Sequence, residues 1–213
     1  MKTIKILVLI LTIALIPFPI SFAYAEENAD NAPELRTGAT LVLSVPLYQQ
    51  PYNSNKCGPT CCRMILKYFG YTKTLEQIVS EMSSMPEGDY THIDSQKRML
   101  NNYISGNPYA KYSNSTKSFS SAIVPSINAG YPLMCQVKTS YLPVYNNQVY
   151  WHYVVARGYL WAQGGNTGGT NTVYYADPHY NSTYYGYNTC TYQQMQNAIC
   201  GHSGLYLAYK TLG

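Results

Sequence analysis

The sequence has few charged side chains. Only 11% of its residues are charged, with 14 basic and 10 acidic side chains and a formal net charge of +4. This weak balance predicts neither a nucleic acid nor an anionic membrane surface as a partner. Polarity comes instead from tyrosine, asparagine, serine and threonine, and the 24 tyrosines are interpreted as an amphipathic surface in preference to substrate subsites.

Long apolar runs are also missing, except near the N-terminus. There, Lys2 and Lys5 precede an apolar stretch over residues 6–22, and the small residues that a signal peptidase requires follow at 23–25. Two prolines interrupt the stretch, which argues against the alternative of an uncleaved membrane anchor. We therefore predict a signal peptide over residues 1–25, no transmembrane segment in the mature chain, and a secreted or cell-surface protein.

The sequence also lacks the cysteine and histidine spacings that are typical of metal sites. The six cysteines and four histidines match no common zinc finger or ribbon, so no structural metal is expected. In an exported chain, cysteines indicate disulfides instead. Cys190 and Cys200 flank a short helix-like segment and are the first candidates for a bridge. Cys61 and Cys62 are expected to pack inside the fold, or one of them to form a bridge elsewhere.

The rest of the chain is predicted to form a polar tether or short pro-segment over residues 26–40 and one domain over residues 41–213. A helical half precedes a mostly β half, which predicts an α+β fold with an antiparallel sheet and a cleft where the halves meet. We predict a loop over 105–117, a glycine-rich hairpin turn over 163–171 and a low-complexity stretch over 180–188. Helices are predicted over 57–69, from Thr74 to before Pro86, and over 93–104, 120–128 and 191–199, and strands over 41–45, 132–137, 150–161, 172–176 and 205–209.

The helix that begins at Cys57 carries the candidate nucleophile. Pro59 has the backbone φ of a first helical turn, and Gly70 suits the residue after the last turn. A thiol at this end faces free N–H groups and the positive end of the helix dipole, which favour the reactive thiolate. The alternative is half of a disulfide or a buried small side chain. We interpret Cys57 as the nucleophile of a cysteine enzyme.

A general base and its orienting carboxylate are predicted on one hairpin. His152 begins a strand on which Val154, Ala156 and Gly158 are expected to share its face, and Asp177 ends the strand that pairs back. Residues equidistant from the turn meet across an antiparallel ladder, so His152 is expected roughly opposite Asp177. A thiolate, a histidine and an orienting group are the set that cysteine acyl transfer requires.

Each member of this pair has an ordinary alternative. His152 could simply pack in a strand, and an aspartate before Pro178 is a common turn former. His179 is the main rival base because it follows Asp177 closely. The remaining histidines, His92 and His202, have no comparable context.

An oxyanion donor is predicted just before the nucleophile. The side-chain amide of Gln50, together with the backbone N–H of Cys57, could donate hydrogen bonds to a tetrahedral intermediate. Gln49 is an alternative for this role, although alternation along residues 46–49 favours Gln50. A glutamine that only faces solvent in a loop is the other interpretation.

In this order, the motifs resemble the papain-like cysteine peptidases related to the bacteriocin-processing, double-glycine leader peptidases. The segments that carry the resemblance are VPLYQQ at 45–50, CGPT at 57–60, the helix end at 64–70, HYVVARGY at 152–159 and YADP at 175–178. The resemblance implies a papain-like fold, in which the nucleophile helix packs against the C-terminal sheet. It also implies that Gln50 forms the oxyanion hole, Cys57 attacks, His152 is the base and Asp177 orients it. The chain resembles the stand-alone extracellular members, because it has neither the membrane region nor the ATPase of the transporter-linked ones.

Three functions are compatible with these features. The first is a secreted peptidase that acts on a peptide or protein substrate without a metal or organic cofactor. The second is a cell-wall amidase or endopeptidase that cuts peptidoglycan stem peptides with the same triad. The third is a binding module on this scaffold without turnover, and the presence of all four candidate residues argues against it.

Overall fold

The computed structural model describes residues 40–161 and 171–210. The predicted signal peptide and nearly all of the predicted tether lie outside these ranges, as does nearly all of the glycine-rich turn predicted over residues 163–171. Within the described ranges, no helix has the length and apolar content needed to cross a bilayer.

The described residues form five α-helices and a seven-stranded antiparallel sheet, which confirms the α+β prediction. The helices are α1 (Cys57–Tyr68), α2 (Leu75–Ser83), α3 (Ile93–Tyr103), α4 (Phe119–Asn128) and α5 (Tyr192–His202). The strands are β1 (Thr40–Val42), β2 (Tyr109–Ser113), β3 (Leu133–Lys138), β4 (Trp151–Leu160), β5 (Thr172–Asp177), β6 (Gly186–Thr191) and β7 (Leu205–Tyr209). Two short 3-10 turns, Thr139–Tyr141 and Pro143–Tyr145, join β3 to β4.

The sheet separates two apolar cores. Its strand order is β2-β7-β3-β4-β5-β6, and β1 pairs with the end of β4. Because side chains alternate between the faces of a strand, Tyr153 and Val155 of β4 pack on the side of α1, α2 and α3, whereas Val154 and Ala156 pack on the side of α4 and α5. The helix that begins at Cys57 therefore lies directly against the central strand β4.

Local signals predicted the starts of α2 and α5 well, whereas α5 ends at His202 and not near the predicted Ile199. Capping boxes formed by Thr74 with Gln77 and by Thr191 with Gln194 open α2 and α5. The edge strands β2 and β6 are not predicted: β2 lies within the predicted loop over 105–117, and β6 begins within the low-complexity stretch over 180–188. Both strands show only one buried position each, so their order comes from hydrogen bonds to β7 and β5 more than from an apolar pattern.

A β-bulge interrupts the pairing of β4 with β5. Ala156 pairs with Tyr175, and Gly158 pairs with Tyr174, so Arg157 is an extra residue on β4. The expectation that Gly158 shares the face of His152 is therefore wrong. Beyond the bulge the faces exchange, and the residue that packs with Ala156 in the α4–α5 core is Tyr159.

The segment after β1 contacts the bulge. The backbone N–H of Leu43 donates to the carbonyl of Arg157 at 2.7 Å, and Nη1 of Arg157 donates to the carbonyl of Leu43 at 2.7 Å. The guanidinium also lies 4.1 Å above the ring of Tyr187. The paired strand ends at Val42, before the predicted Val45, and Leu43 keeps a backbone hydrogen bond to β4 through Arg157.

The predicted disulfide between Cys190 and Cys200 is wrong. All six cysteines of the sequence lie in the described ranges, and all are free thiols. Cys190 is buried in the core beneath α5, whereas Cys200 is exposed and accepts a hydrogen bond from Asn114 at 3.0 Å. Because Ile199 holds the buried side of α5, its neighbour Cys200 is turned about 100° round the helix, away from Cys190. Cys61 and Cys62 are fully buried, as the packing interpretation requires.

Candidate active site

Cys57 is the first residue of α1, and its surroundings are tight. A side chain at Gly58 would overlap the amide of Gln96, so the glycine allows the close approach of the helix start to α3. Thr60 donates its hydroxyl to the carbonyl of Lys56 at 2.7 Å, which closes the first turn. The thiol of Cys57 is nearly buried, and it lies at the helix N-terminus, where the first backbone N–H groups have no acceptor in a preceding turn.

Cys57 and His152 line the same cavity and interact electrostatically. Burial alone would raise the pKa of Cys57. The positive charge of His152, its hydrogen bond and the backbone N–H groups of Tyr153 and Gly58 outweigh burial, so the pKa lies below the ordinary thiol value. The site therefore favours a thiolate beside an imidazolium.

His152 is also bound to Asp177. Its Nε2 lies 2.9 Å from Oδ1 of the carboxylate, and both side chains are almost completely buried. Burial lowers the pKa of His152, but the charges of Asp177 and Cys57 raise it to about 10. Because Nε2 is occupied by Asp177, Nδ1 is the ring nitrogen that remains for the thiol.

The bulge at Arg157 brings His152 and Asp177 to the same face of the sheet. If the register near the hairpin turn continued without a break, Asp177 would lie across from Val155, on the face of α1 to α3. The extra residue shifts the pairing by one, so that Asp177 lies across from Val154, on the face of His152. His152 and Asp177 therefore do not lie directly opposite each other, as roughly predicted, but contact each other diagonally on one face of the sheet.

Asp177 accepts two further hydrogen bonds. The hydroxyl of Tyr145 donates to Oδ2 at 2.8 Å, and the backbone N–H of His179 donates to Oδ1 at 2.9 Å. The sequence does not predict the contact of Tyr145, because a tyrosine in a short loop between two strands carries no local signal of it. Both carboxylate oxygens of this buried side chain are thus hydrogen-bonded.

The rival histidine lies beside the triad but has other partners. The ring of His179 is 5.3 Å from that of His152, and its Nδ1 accepts the backbone N–H of Asn181 at 3.0 Å. Burial and the charge of His152 lower the pKa of His179 to about 4, so the ring is neutral near pH 7. His92 caps α3 through Nδ1, and His202 packs against Trp151 at 4.9 Å.

Gln50, and not Gln49, reaches the region of the thiol. Gln50 is buried, its backbone N–H donates to Pro178 at 2.7 Å, and its Nε2 donates to the carbonyl of Ser54 at 3.1 Å. The Oε1 atom of Gln50 has no hydrogen-bond partner among the described residues. Gln49 is exposed and binds the carbonyl of Tyr180 at 2.9 Å.

A cavity of about 550 Å³ opens above these groups. Cys57, His152 and Gln50 contribute to its wall, whereas Asp177 lies behind His152. Apart from its three histidines, the wall carries no ionisable side chain other than tyrosine and cysteine. The lining residues are Gln50, Asn53, Ser54, Asn55, Cys57, Thr91, Gln136, Tyr150, Trp151, His152, Tyr153, His179, Tyr180 and His202.

The described ranges offer no cluster of three or more histidine, cysteine, aspartate or glutamate side chains that could hold a metal ion. The chemistry that the site can perform follows from its own side chains. The Cys57 sulfur interacts with His152, and His152 is hydrogen-bonded to the buried Asp177 carboxylate, an arrangement capable of covalent acyl transfer.

Comparisons with known proteins identify the family and the fold. The sequence model of the Peptidase_C39 like family matches residues 42–201. A solved structure described as a C39-like peptidase from Bacillus anthracis superimposes with a TM-score of 0.56 at 17% identity, covering 81% of this chain and 98% of that one. Since this likeness is structural, it confirms the predicted papain-like α+β fold. No curated protein matches the sequence.

Two transporter-linked peptidases also match. One is a double glycine motif protease from an AMS/PCAT transporter, solved in complex with the leader peptide; its TM-score is 0.45 at 16% identity, over 83% of this chain and 95% of that one. The other is the peptidase domain of Streptococcus ComA, a bifunctional ABC transporter of a quorum-sensing pathway, with a TM-score of 0.43 at 16% identity, over 78% and 99% of the two chains. With the family match spanning most of the sequence, the chain belongs to the Peptidase_C39 like family and has its cysteine-peptidase fold.

Proposed function

We propose that the protein is an exported cysteine peptidase that hydrolyses peptide bonds. Cys57 is the nucleophile, His152 the acid and base, Asp177 the residue that orients His152, and Gln50 an oxyanion donor. The observation that supports this most directly is the buried hydrogen bond between His152 and Asp177, with Cys57 and His152 interacting electrostatically at the wall of one cavity. Export is proposed from the signal-peptide pattern of residues 1–25.

The proposed reaction proceeds in two halves. The Cys57 thiolate attacks the peptide carbonyl carbon, a C–S bond forms, and the carbonyl electrons move to oxygen. When the intermediate collapses, the C–N bond breaks and Nδ1 of His152 gives its proton to the departing amine. A water then attacks the thioester after losing a proton to Nδ1, and release of the carboxylic acid regenerates the thiolate–imidazolium pair.

Two donors are proposed for the oxygen that becomes negative. The backbone N–H of Cys57 is free because it lies at the helix start, where no preceding turn supplies an acceptor. The Gln50 amide carries two N–H groups, and only one is needed for the bond to Ser54, so the second can donate to the oxyanion. Removal of one such donor costs about 10²–10³-fold in turnover in other acyl-transfer enzymes.

The wall of the cavity favours uncharged residues beside the scissile bond. Its lining combines amide, hydroxyl and aromatic groups, without a lysine, arginine, aspartate or glutamate to pair with a charged substrate residue. Trp151 is 61% exposed at this wall, directly before His152 in sequence, and offers a large apolar surface to a bound peptide.

Trp151→Ala should therefore raise KM for a cleaved peptide by roughly 5- to 30-fold, the equivalent of about 1–2 kcal/mol of lost contact. The value of kcat should change much less, because the indole packs against His202 and Lys138 and takes no part in the proposed proton transfers. Val149→Ala is the matched control: Val149 is 55% exposed and two residues away, yet it does not line the cavity. Equal KM values for the two variants would remove Trp151 from substrate binding.

The function itself is tested by incubating the purified mature chain with a peptide library and, separately, with peptidoglycan, each with and without an alkylating agent. Cleavage of peptides that the agent blocks supports the proposal. Cleavage confined to peptidoglycan would favour the cell-wall endopeptidase, and no cleavage of either, with a folded protein, would favour a binding module.

A further inference from the structure

The carboxylate of Asp177 is fixed from behind by a buried tyrosine. Oδ1 faces Nε2 of His152 at 2.9 Å and also accepts the backbone N–H of His179 at 2.9 Å. Oδ2 accepts the hydroxyl of Tyr145 at 2.8 Å. Since both oxygens are hydrogen-bonded, the carboxylate cannot rotate about its last bond without losing a charge-assisted hydrogen bond.

Tyr145 is itself held rigidly. It ends the 3-10 turn Pro143–Tyr145, and the left-handed backbone of Asn146 (φ 44°) reverses the chain directly after it. The side chain is fully buried, and its ring stacks on Tyr184 with centroids 4.4 Å apart and an interplanar angle of 22°. Tyr150 and His179 contact the same ring at centroid distances of 6.0 and 5.8 Å. The hydroxyl is therefore presented to Oδ2 in one orientation and excludes water from it.

We propose that Tyr145 is a positioning residue of the active site: its hydroxyl locks Asp177 in the rotamer that holds His152 against Cys57. The inference rests on the proposed function of the triad, and it assigns the loop between β3 and β4 a part in the chemistry. Tyr145 does not reach the cavity, so it acts only through Asp177.

The surroundings of His152 define what a titration would report. Removal of the Tyr145 hydroxyl leaves Oδ2 without its donor, and the carboxylate becomes free to turn away from Nε2. Because the charge of Asp177 raises the pKa of His152, a looser carboxylate lowers that pKa and weakens the thiolate–imidazolium pair. The ionisable groups that face His152 are Cys57 from α1, Asp177 and His179 from β5 and the loop after it, and Tyr145 from the 3-10 turn.

A second buried tyrosine provides the matched control. Tyr175 lies in β5, two residues before Asp177, and is also fully buried. Its hydroxyl makes no hydrogen bond with any described residue. Tyr145→Phe and Tyr175→Phe therefore remove the same atom from two buried rings, and only the first removal takes a hydrogen bond from Asp177.

The experiment has two measurements: the titration of the His152 ring by NMR, and the pH dependence of Cys57 alkylation by iodoacetamide. Both are made on wild type, Y145F and Y175F. D177N is the reference for loss of the carboxylate. We expect Y145F to lower the His152 midpoint and to raise the alkylation midpoint, each by about one pH unit, which corresponds to a tenfold change in the proton equilibrium. Peptide turnover by Y145F should fall about tenfold at nearly unchanged KM. Y175F should match wild type in every titration.

The proposal would be overturned if both variants fold with a normal melting temperature and Y145F has the same midpoints as Y175F. A tyrosine that only packs would leave the midpoints of both titrations unchanged. A rise of the His152 midpoint in Y145F would overturn it too. If Y145F does not fold, the proposal is tested on the wild-type protein by hydrogen exchange. The Tyr145 hydroxyl proton should exchange slowly with water, and fast exchange would contradict a fixed hydrogen bond to Asp177. The titrations need no substrate, so a wild type that cleaves nothing would count against the peptidase and not against Tyr145.

Discussion

Cys57→Ala should abolish hydrolysis and covalent labelling while leaving the fold intact. Cys57 holds the sulfur that the proposed mechanism uses, and loss of a nucleophile typically reduces turnover by about 10⁴-fold or more. Alanine is the best helix former and differs from cysteine by one atom, so the start of α1 should survive the change. Peptide cleavage, labelling by a thiol-directed electrophile and thermal unfolding are the three measurements.

Cys200→Ala is the control for removal of a thiol as such. Cys200 is exposed on α5 and lies outside the cavity, so C200A should cleave peptides at the wild-type rate. Cys62 lies on α1, just over one turn beyond Cys57, and burial raises the pKa of its thiol, so it should stay protonated and unreactive. Labelling that persists in C57A, or moves to Cys62, would refute Cys57 as the nucleophile.

Asp177→Asn should cut turnover strongly but leave a measurable remainder. The amide keeps the shape of the carboxylate and loses its charge, and this charge is one of the two that raise the pKa of His152 to about 10. In wild type, the reactive pair exists between the lowered pKa of Cys57 and the pKa of His152, so activity rises through the first and falls through the second. In D177N the alkaline limb should move to lower pH, and kcat should fall by roughly 10²-fold or more.

The hydrogen bonds around position 177 allow this change without disruption. In D177N, Oδ1 can still accept from His152 and from the backbone of His179, while the new Nδ2 can donate to the hydroxyl of Tyr145, which is able to accept. The melting temperature should therefore stay close to wild type. Unchanged kcat and an unmoved alkaline limb would mean that Asp177 only forms the turn before Pro178.

Part of this architecture was predictable because its signals are local. Pro59 and the residues after it fix the start of α1, and the Thr74–Gln77 and Thr191–Gln194 boxes fix the starts of α2 and α5. Each of these signals acts within one helical turn, so no distant contact can easily override it. The family resemblance likewise rested on short motifs, and the match over residues 42–201 confirmed it. The roles of the four candidate site residues remain predictions.

The failures share a different cause. The strands β2 and β6 have little apolar pattern of their own and are ordered by their neighbours. The predicted disulfide assumed that Cys190 and Cys200 face each other, whereas the turn of α5 separates them. Pairing across space depends on the orientation of whole elements, which spacing along the chain does not reveal.

By itself, the sequence determined the chemical inventory of this protein: a cysteine at a helix start, a histidine at a strand start, an aspartate at a strand end and a glutamine upstream. Tertiary structure alone decided how these groups meet. The extra residue Arg157 shifts the register so that Asp177 shares a face with His152, and Tyr145 arrives from a separate loop to bind Asp177. The reason is physical: side-chain identity is a local property, whereas strand register is set by hydrogen bonds and packing between segments far apart in the chain.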